Sequence, residues 1–347
     1  MANIVEIEEV ACAALDDRAI EALAGLLSVA AVYRSDGDPP ISPAQLSLDE
    51  RTEPPWLRRT RALAWSAGGD LLGTAMVEVE DRADNRQLAW IEADVTPAAR
   101  GDGLASRLLA TLLPAALADR RTLSMGGTPE GGPGATFAEA VGLEVGQREH
   151  RNRVATADLP REELVRWTEE AAERAPAYGL TIIDGPLPDD LLEPFAAAAR
   201  VMNDAPIDDL DLEDFEYTAD ELRSVQAATA AKGTERWTIL ATHLETGDIA
   251  GLTELFIPAH DTWLAEQGDT GVLTAHRGHG LGRWLKAANA LRLLDERPDV
   301  RMIQTWNAST NPHMLAINHA MGFQAAGVQL LVQGDTATLL ERLRQQA

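Results

Sequence analysis

Apolar residues recur along the chain with two different periods, and their alternation lays out an order of strands and helices that occurs twice. A stretch over 4–10 reads as a strand, and from Asp16 to Val32 the positions Ile20, Leu23, Leu26, Leu27 and Ala30 keep helical spacing. Prolines at 39, 40, 43, 54 and 55 predict a loop-rich region. Strand patterns follow at 61–66 and 71–78, joined by turn residues 67–70, and again at Leu88–Val95. That strand runs into a glycine-containing loop and a helix from Leu104, which Pro114 is expected to kink or interrupt.

The second half repeats this order. Residues 180–183 predict a strand, and 189–202 a helix on Leu192, Phe195, Ala198 and Met202; a second helix over 218–232 opens with Thr218 and Glu221 in capping-box spacing. Strands at 237–243 and Ile249–Ile257 flank the turn residues 245–248. A short strand at 271–273 leads to another glycine loop and a helix with Leu281, Trp284, Leu285, Ala288 and Leu291 on one face. A spacing of about 175–180 residues is far longer than the 20–50 of a solenoid and signifies two duplicated domains. The expected division is 1–159, a helical tail and linker at 160–176 that includes the charged helix Arg161–Arg174, and 177–347.

The duplicated loops are Arg100-Gly101-Asp102-Gly103-Leu104-Ala105 and Arg277-Gly278-His279-Gly280-Leu281-Gly282. Glycines let backbone amides approach an anion closely, and the helix that starts at once presents free N–H groups and the positive end of its dipole. A diphosphate fits. The chain has no Gly-x4-Gly-Lys-Ser/Thr, and the glycine spacing does not match Gly-x-Gly-x-x-Gly, so nucleotide-triphosphatase and dinucleotide readings fail.

These loops resemble the pyrophosphate loop of the GNAT (GCN5-related N-acetyltransferase) family, and the layout is similar to its two-domain members, such as mycothiol synthase. Val95-Thr96-Pro97-Ala98-Ala99-Arg100 is similar to the family's Val-x-Pro-x-x-Arg, and Val272-Leu273-Thr274-Ala275-His276-Arg277 lacks only the proline. The resemblance implies an α/β fold with a mixed sheet, as two tandem acyl-CoA N-acyltransferase domains. It also implies acetyl-CoA as co-substrate, bound by these loops and by the strands at Val95 and Val272–Thr274. A later signature, Asn311, Met314, Asn318, Gly322 and Phe323, occurs only in the second half, and Asn307 and Asn311 there suit the pantetheine amides. The glycine-rich 126–142 has no such Asn. The C-terminal domain is therefore expected to be catalytic and the N-terminal one degenerate.

Attack on a thioester needs a neutral amine, hence a base. The family resemblance implies a Glu six residues before Val272, where Glu266 stands; strand alternation and proximity add Glu254 and Asp269 to the candidate set. Where many family members carry a Tyr acid, this chain has Asn318, which is not a useful acid; His313 and His319 are alternatives. His276 and His279 do not suggest a metal, and none is expected.

Composition adjusts this reading in few places. With 30 Lys and Arg against 55 Asp and Glu, the net charge is −25, which disfavours nucleic acid and anionic membranes and favours a cationic small molecule. From Met202 to Glu221 there are nine acidic residues and no Lys or Arg, so Asp204, Asp208, Asp209 and Asp211 are candidates to attract an amine acceptor. One cysteine, Cys12, allows no internal disulfide. No apolar run approaches about 20 residues, and the start, Met1-Ala-Asn-Ile-Val-Glu, has no signal-peptide character. These features lead to the expectation of a cytoplasmic enzyme, monomeric or homodimeric. A CoA-binding module without turnover, structural or regulatory in use, is the alternative.

Overall fold

The structure, a computed structural model, describes residues 4–31 and 38–347. Val32 and Met1–Asn3 therefore lie outside the described residues.

The first half runs β1 (Ile4–Ala11), α1 (Asp17–Ala31), α2 (Pro43–Arg51), β2 (Leu57–Ser66), β3 (Leu71–Glu80) and β4 (Leu88–Val95). It continues through α3 (Leu104–Ala118), β5 (Leu123–Pro129), α4 (Pro133–Ala140) and β6 (Glu144–Ala155). The second half begins with α5 (Arg161–Arg174), β7 (Tyr178–Asp184), α6 (Asp189–Ala199), α7 (Ala219–Ala231), β8 (Glu235–His243) and β9 (Ile249–Ile257). It ends with β10 (Leu264–Val272), α8 (Leu281–Glu296), β11 (Met302–Ala308), α9 (Pro312–Ala320), β12 (Gln324–Asp335) and α10 (Thr336–Gln346).

Three expectations need correction. The proline-rich region holds α2: Ser42 caps it by accepting from the Gln45 N–H, and Pro43 occupies a first-turn position where its missing donor costs nothing. Pro114 does not interrupt α3, which runs unbroken to Ala118 because Leu112, Leu113 and Ala116 are buried on both sides of the proline. The helix from Asp189 ends at Ala199, with a tighter turn over Arg200–Asp204.

The chain folds as two compact units that are not the linear segments expected. Unit 1 comprises 1–149, 207–213 and 327–347; unit 2 comprises 150–206 and 214–326. The helix α5 is a working part of unit 2, where Leu164 and Trp167 join the cluster of Leu255, Ala287 and Phe323. The end of β12 pairs antiparallel with β5 inside unit 1, from Gln329 opposite Pro129 to Asp335 opposite Leu123, and α10 packs Leu339, Leu340 and Leu343 against α3. Strand order is β1-β2-β3-β4-β5-β12 in unit 1 and β6-β11-β10-β9-β8-β7 in unit 2.

Each unit contains a parallel pair, β4 with β5 and β10 with β11. Pairing covers only three rungs in each, Leu88–Leu123 to Trp90–Met125 and Leu264–Met302 to Glu266–Gln304. Beyond them the strands part and leave a wedge-shaped opening at their C-terminal ends.

Cys12 packs beneath α1 and α2 of unit 1 and is fully buried. Burial first, and then the nearby Glu50 carboxylate, push its thiol far above the ordinary range. Since the thiolate is the reactive form, Cys12 is expected to resist a thiol reagent such as 5,5′-dithiobis(2-nitrobenzoate) at pH 8 and to react fully once the chain is unfolded in guanidinium. Rapid labelling of the native protein would contradict this burial.

Candidate active site

At each wedge the sequence builds the same turn. Gly101 and Gly103 have φ of +87° and +72°, and Gly278 and Gly280 have +86° and +78°, a left-handed conformation that side chains resist. Gly103 and Gly280 are the caps of α3 and α8. Arg107 N–H returns to the Gly103 carbonyl and Trp284 N–H to the Gly280 carbonyl, so amides earlier in each helix start have no intrahelical acceptor and face outward. Arg100 Nε donates to the Val95 carbonyl at 3.1 Å and Arg277 Nε to the Val272 carbonyl at 3.0 Å, which pins each loop to the end of its strand. The cradles suit a diphosphate in charge and shape.

The two copies differ in what lies in front of the loop. Space around Gly101 and Gly280 is open, whereas a Cβ on Gly103 would stand 2.5 Å from the Gln346 carbonyl at the end of α10. In unit 1 the wedge widens into a cavity of 650 Å³ lined by Val95, the loop from Arg100, Gly127, Phe137, Glu92 and Trp90. The glycine-rich stretch 126–142 borders this wedge: Gly127 and Gly134 line the cavity, and Gly126 lies so close to β4 that a Cβ would be 2.6 Å from the Ile91 carbonyl.

In unit 2, Glu266 stands on the last paired rung of β10. Gln304 Nε2 donates to its Oε1 at 2.7 Å, and Gln304 Oε1 accepts from Arg153 Nε at 2.6 Å. Burial pushes Glu266 up to about 7, against the opposing pull of Arg153 and the Gln304 hydrogen bond. A carboxyl group so placed exchanges a proton near neutrality. Asp269 has the accessibility of an exposed residue, yet the protein around it desolvates its carboxyl, and with Glu254 close by it is pushed up to about 6. The open setting makes it the weaker candidate base.

Several expected roles are corrected. Glu254 is buried and paired with Arg236, whose Nε donates to it at 2.7 Å; holding a buried guanidinium makes it a structural ion, not a free base. Asn318 is fully buried, and its Nδ2 donates to Asn307 Oδ1 at 2.7 Å, so it positions Asn307 instead of meeting a reacting atom. Asn311 caps α9, accepting from the Met314 N–H at 3.2 Å, so its oxygen is committed to the helix before any ligand arrives. The Leu273 N–H is committed to the Ala250 carbonyl. Asp204 pairs with the loop itself, accepting from Arg277 Nη2 at 2.6 Å and from Thr274 Oγ1 at 3.4 Å. Asp208, Asp209 and Asp211 belong to unit 1, where the Asp209 N–H bonds to Gly146 and Gln333 bridges Asp209 and Asp211. The four aspartates are therefore not one cluster.

His276 and His279 gather with His243 around Tyr178, whose hydroxyl lies 3.0 Å from His276 Nδ1. His313 and His319 are exposed on α9. Among the described residues, no group of three or more His, Cys, Asp or Glu is placed to hold a metal ion, and no helix is long and apolar enough to cross a membrane.

Sequence reasoning missed Lys286 and Glu78. Lys286 on α8 is 1% exposed, with its ammonium over the Phe323 ring. Glu78 on β3 is pushed by burial up to about 7. Position 286 lies on the side of α8 opposite the apolar face of Leu281, Trp284, Leu285, Ala288 and Leu291, so periodicity gave no signal of its burial; Glu78 gave none either, since it follows an alternating strand pattern.

No family model and no curated protein matches the chain. Solved structures do. A tandem GNAT protein from the clavulanic acid biosynthesis pathway superposes with a TM-score of 0.76 at 24% identity, over 95% of this chain and 99% of that one. The chain has the tandem GNAT fold. A GCN5-related N-acetyltransferase from Sphaerobacter thermophilus aligns over 95% of this chain and 96% of its own, at 16% identity and a TM-score of 0.65. A GCN5-related glucosamine N-acetyltransferase region of a fungal multi-domain β-N-acetylglucosaminidase aligns over 96% of this chain and 38% of that chain, at 14% identity and a TM-score of 0.62. The tandem GNAT fold explains why the same wedge and loop occur twice.

Proposed function

We propose that the chain is an acyl-CoA-dependent N-acyltransferase that carries an acetyl group from acetyl-CoA to the primary amine of a small, cationic acceptor. The observation that carries this reading is the repeated combination of a parting parallel strand pair, a loop with two left-handed glycines and a helix start. It offers a groove for an extended thioester arm and an anion cradle at its mouth.

In unit 2 the groups fall into roles. Amides of the loop from Gly278 hold the diphosphate, Asn307 on the parted end of β11 bonds the amide-bearing arm, and Glu266 takes the proton of the attacking amine. The net charge of −25 favours a cationic acceptor at long range. The soluble, metal-free chemistry of this reading needs no further cofactor.

Calorimetric titration with acetyl-CoA and thiol release against a panel of primary amines test the reading. A tryptophan at Gly101 or at Gly280 enters open space in front of its loop and also strains a positive φ. Each single variant is expected to abolish one binding event, and Gly101→Trp/Gly280→Trp to weaken acetyl-CoA more than tenfold at both. A wild-type chain that does not bind acetyl-CoA, or a double variant that binds and turns it over unchanged, would overturn the proposal.

A further inference from the structure

The two units can be aligned rung by rung from a shared reference point. In unit 1 the valine whose carbonyl receives the arginine Nε, Val95, pairs with Gly73 of β3; in unit 2 its counterpart, Val272, pairs with Gly251 of β9. Five residues on from each glycine stand Glu78 and Phe256, and their partners across the ladder are Trp90 and Glu266. The same rung thus holds one carboxylate and one aromatic ring in both units, with the strands exchanged. Glu266 is six residues from its valine and Trp90 five because β10 carries one extra residue, the bulge between Gln267 and Thr270.

The faces agree as well. Alternation along β3 and β4 puts Glu78 and Trp90 on the side of Met76, which packs under α1 with Ile20, Leu23 and Ala24. In unit 2, Phe256 shares the side of Leu252, which packs under α6 with Leu192 and Phe195. The helices α1 and α6 occupy matching places, each following the outermost strand of its unit, β1 and β7. Trp90 and Glu92 form part of the wall of the 650 Å³ cavity that also exposes the loop from Arg100.

We propose that unit 1 has its own proton acceptor, Glu78, on β3 at the rung that Glu266 occupies from β10, and is a second acyl-transfer centre for a cationic amine. The proposal rests on the acyltransferase reading above. An ammonium on the acceptor gives one proton to the Glu78 carboxylate, directly or through one water. The freed amine attacks the thioester carbonyl, the C–N bond forms, the C–S bond breaks, and the departing thiolate takes the second nitrogen proton. Glu78 then releases its proton to solvent.

The surroundings of Glu78 fit that task. From β2, Arg59 Nε lies 3.9 Å from its Oε2 and is shared with Glu53 at 3.0 Å. Glu80 from β3, Glu92 from β4 and Glu53 oppose its charge, so the carboxyl is not locked as an anion by a private arginine. The neighbouring arginine on this face, Arg61, is taken by Glu50 at 2.7 Å. Glu92 on the cavity wall supplies attraction for a cation.

The test uses the full chain carrying Gly280→Trp, which leaves unit 1 as the intact cradle, with spermidine among the amines and with acetyl-CoA hydrolysis in the absence of amine as a second assay. Glu78→Gln in this background should lower transfer and hydrolysis at least tenfold and remove their rise with pH, while acetyl-CoA affinity stays within twofold. Glu92→Gln should raise the spermidine KM and leave the pH profile in place. Independently of turnover, the side-chain carboxyl carbon of Glu78, assigned by its loss in Glu78→Gln, should titrate near neutrality in the free protein and at lower pH with spermidine present. Unchanged rates in Glu78→Gln, no turnover of either kind in the Gly280→Trp chain, or an ordinary carboxylate titration would overturn the inference. Loss of acetyl-CoA binding by the wild type would instead sink the acyltransferase reading.

Discussion

Replacing Glu266 by Gln is expected to slow acyl transfer in unit 2 by about 10²–10⁴-fold, the usual contribution of a positioned base, while making the protein more stable above neutral pH. The rate is best read in a Gly101→Trp background, which silences unit 1. A base works only when deprotonated, so the parent rate should rise with pH through about 7 and then level off, and the variant should lose that rise. Stability runs the other way. Burial raises the folded-state value from 4.5 to about 7, so between those two pH values the folded chain holds a proton that the unfolded chain has released. Stability contributed by this group therefore falls as pH rises through that window, and the full cost of a buried carboxylate is present above it. Glutamine keeps the hydrogen-bonding shape without the charge and should recover on the order of 1–3 kcal/mol at pH 8. Urea melts at pH 5 and pH 8 would check this; a variant that is both slower and less stable at pH 8 would make Glu266 a structural residue.

Lys286→Met should stabilise the chain at neutral pH by on the order of 2–5 kcal/mol. The ammonium is fully buried against Phe323, and burial lowers it from 10.5 to about 7. The unfolded chain keeps its proton up to 10.5, so stability rises with pH between 7 and 10.5, and the penalty is complete below 7. The gain from methionine, which retains the length and flexibility of the side chain, should thus be largest below pH 7 and shrink toward pH 10. Denaturant midpoints across that range measure it. A loss of stability at pH 6 would mean that the lysine has a compensating partner in solution.

Much of the site could be read from the residues alone because it is local. The loops 100–105 and 277–282 depend on glycine conformations and a helix start within six residues, and both have the left-handed turns the pattern calls for. Glu266 stands where the family resemblance implies a Glu, six residues before Val272, and it lies on the last paired rung. Other readings failed wherever a residue's partner came from elsewhere in the chain. Glu254 has the residue type and strand position of a base, but Arg236, 18 positions earlier, holds it in an ion pair. Asn311 and Asn318 matched a motif, yet one is a cap and the other an internal strut for Asn307. The acidic run 202–221 is one segment in the sequence and two in space, because 207–213 joins unit 1 while its flanks join unit 2.

The sequence by itself determined the duplication, the order of strands and helices in each copy, and the pair of anion cradles, since periodicity and glycine placement act over a few residues at a time. The tertiary structure alone decided that 327–347 completes unit 1 and 150–206 belongs to unit 2, because strand pairing is blind to distance along the chain and follows only edge and register. It also decided which carboxylates are free. A single-residue bulge in β10 put Glu266 on the rung that Glu78 fills from the opposite strand in unit 1, and burial at that rung, not residue type, brings both to a titration near neutrality.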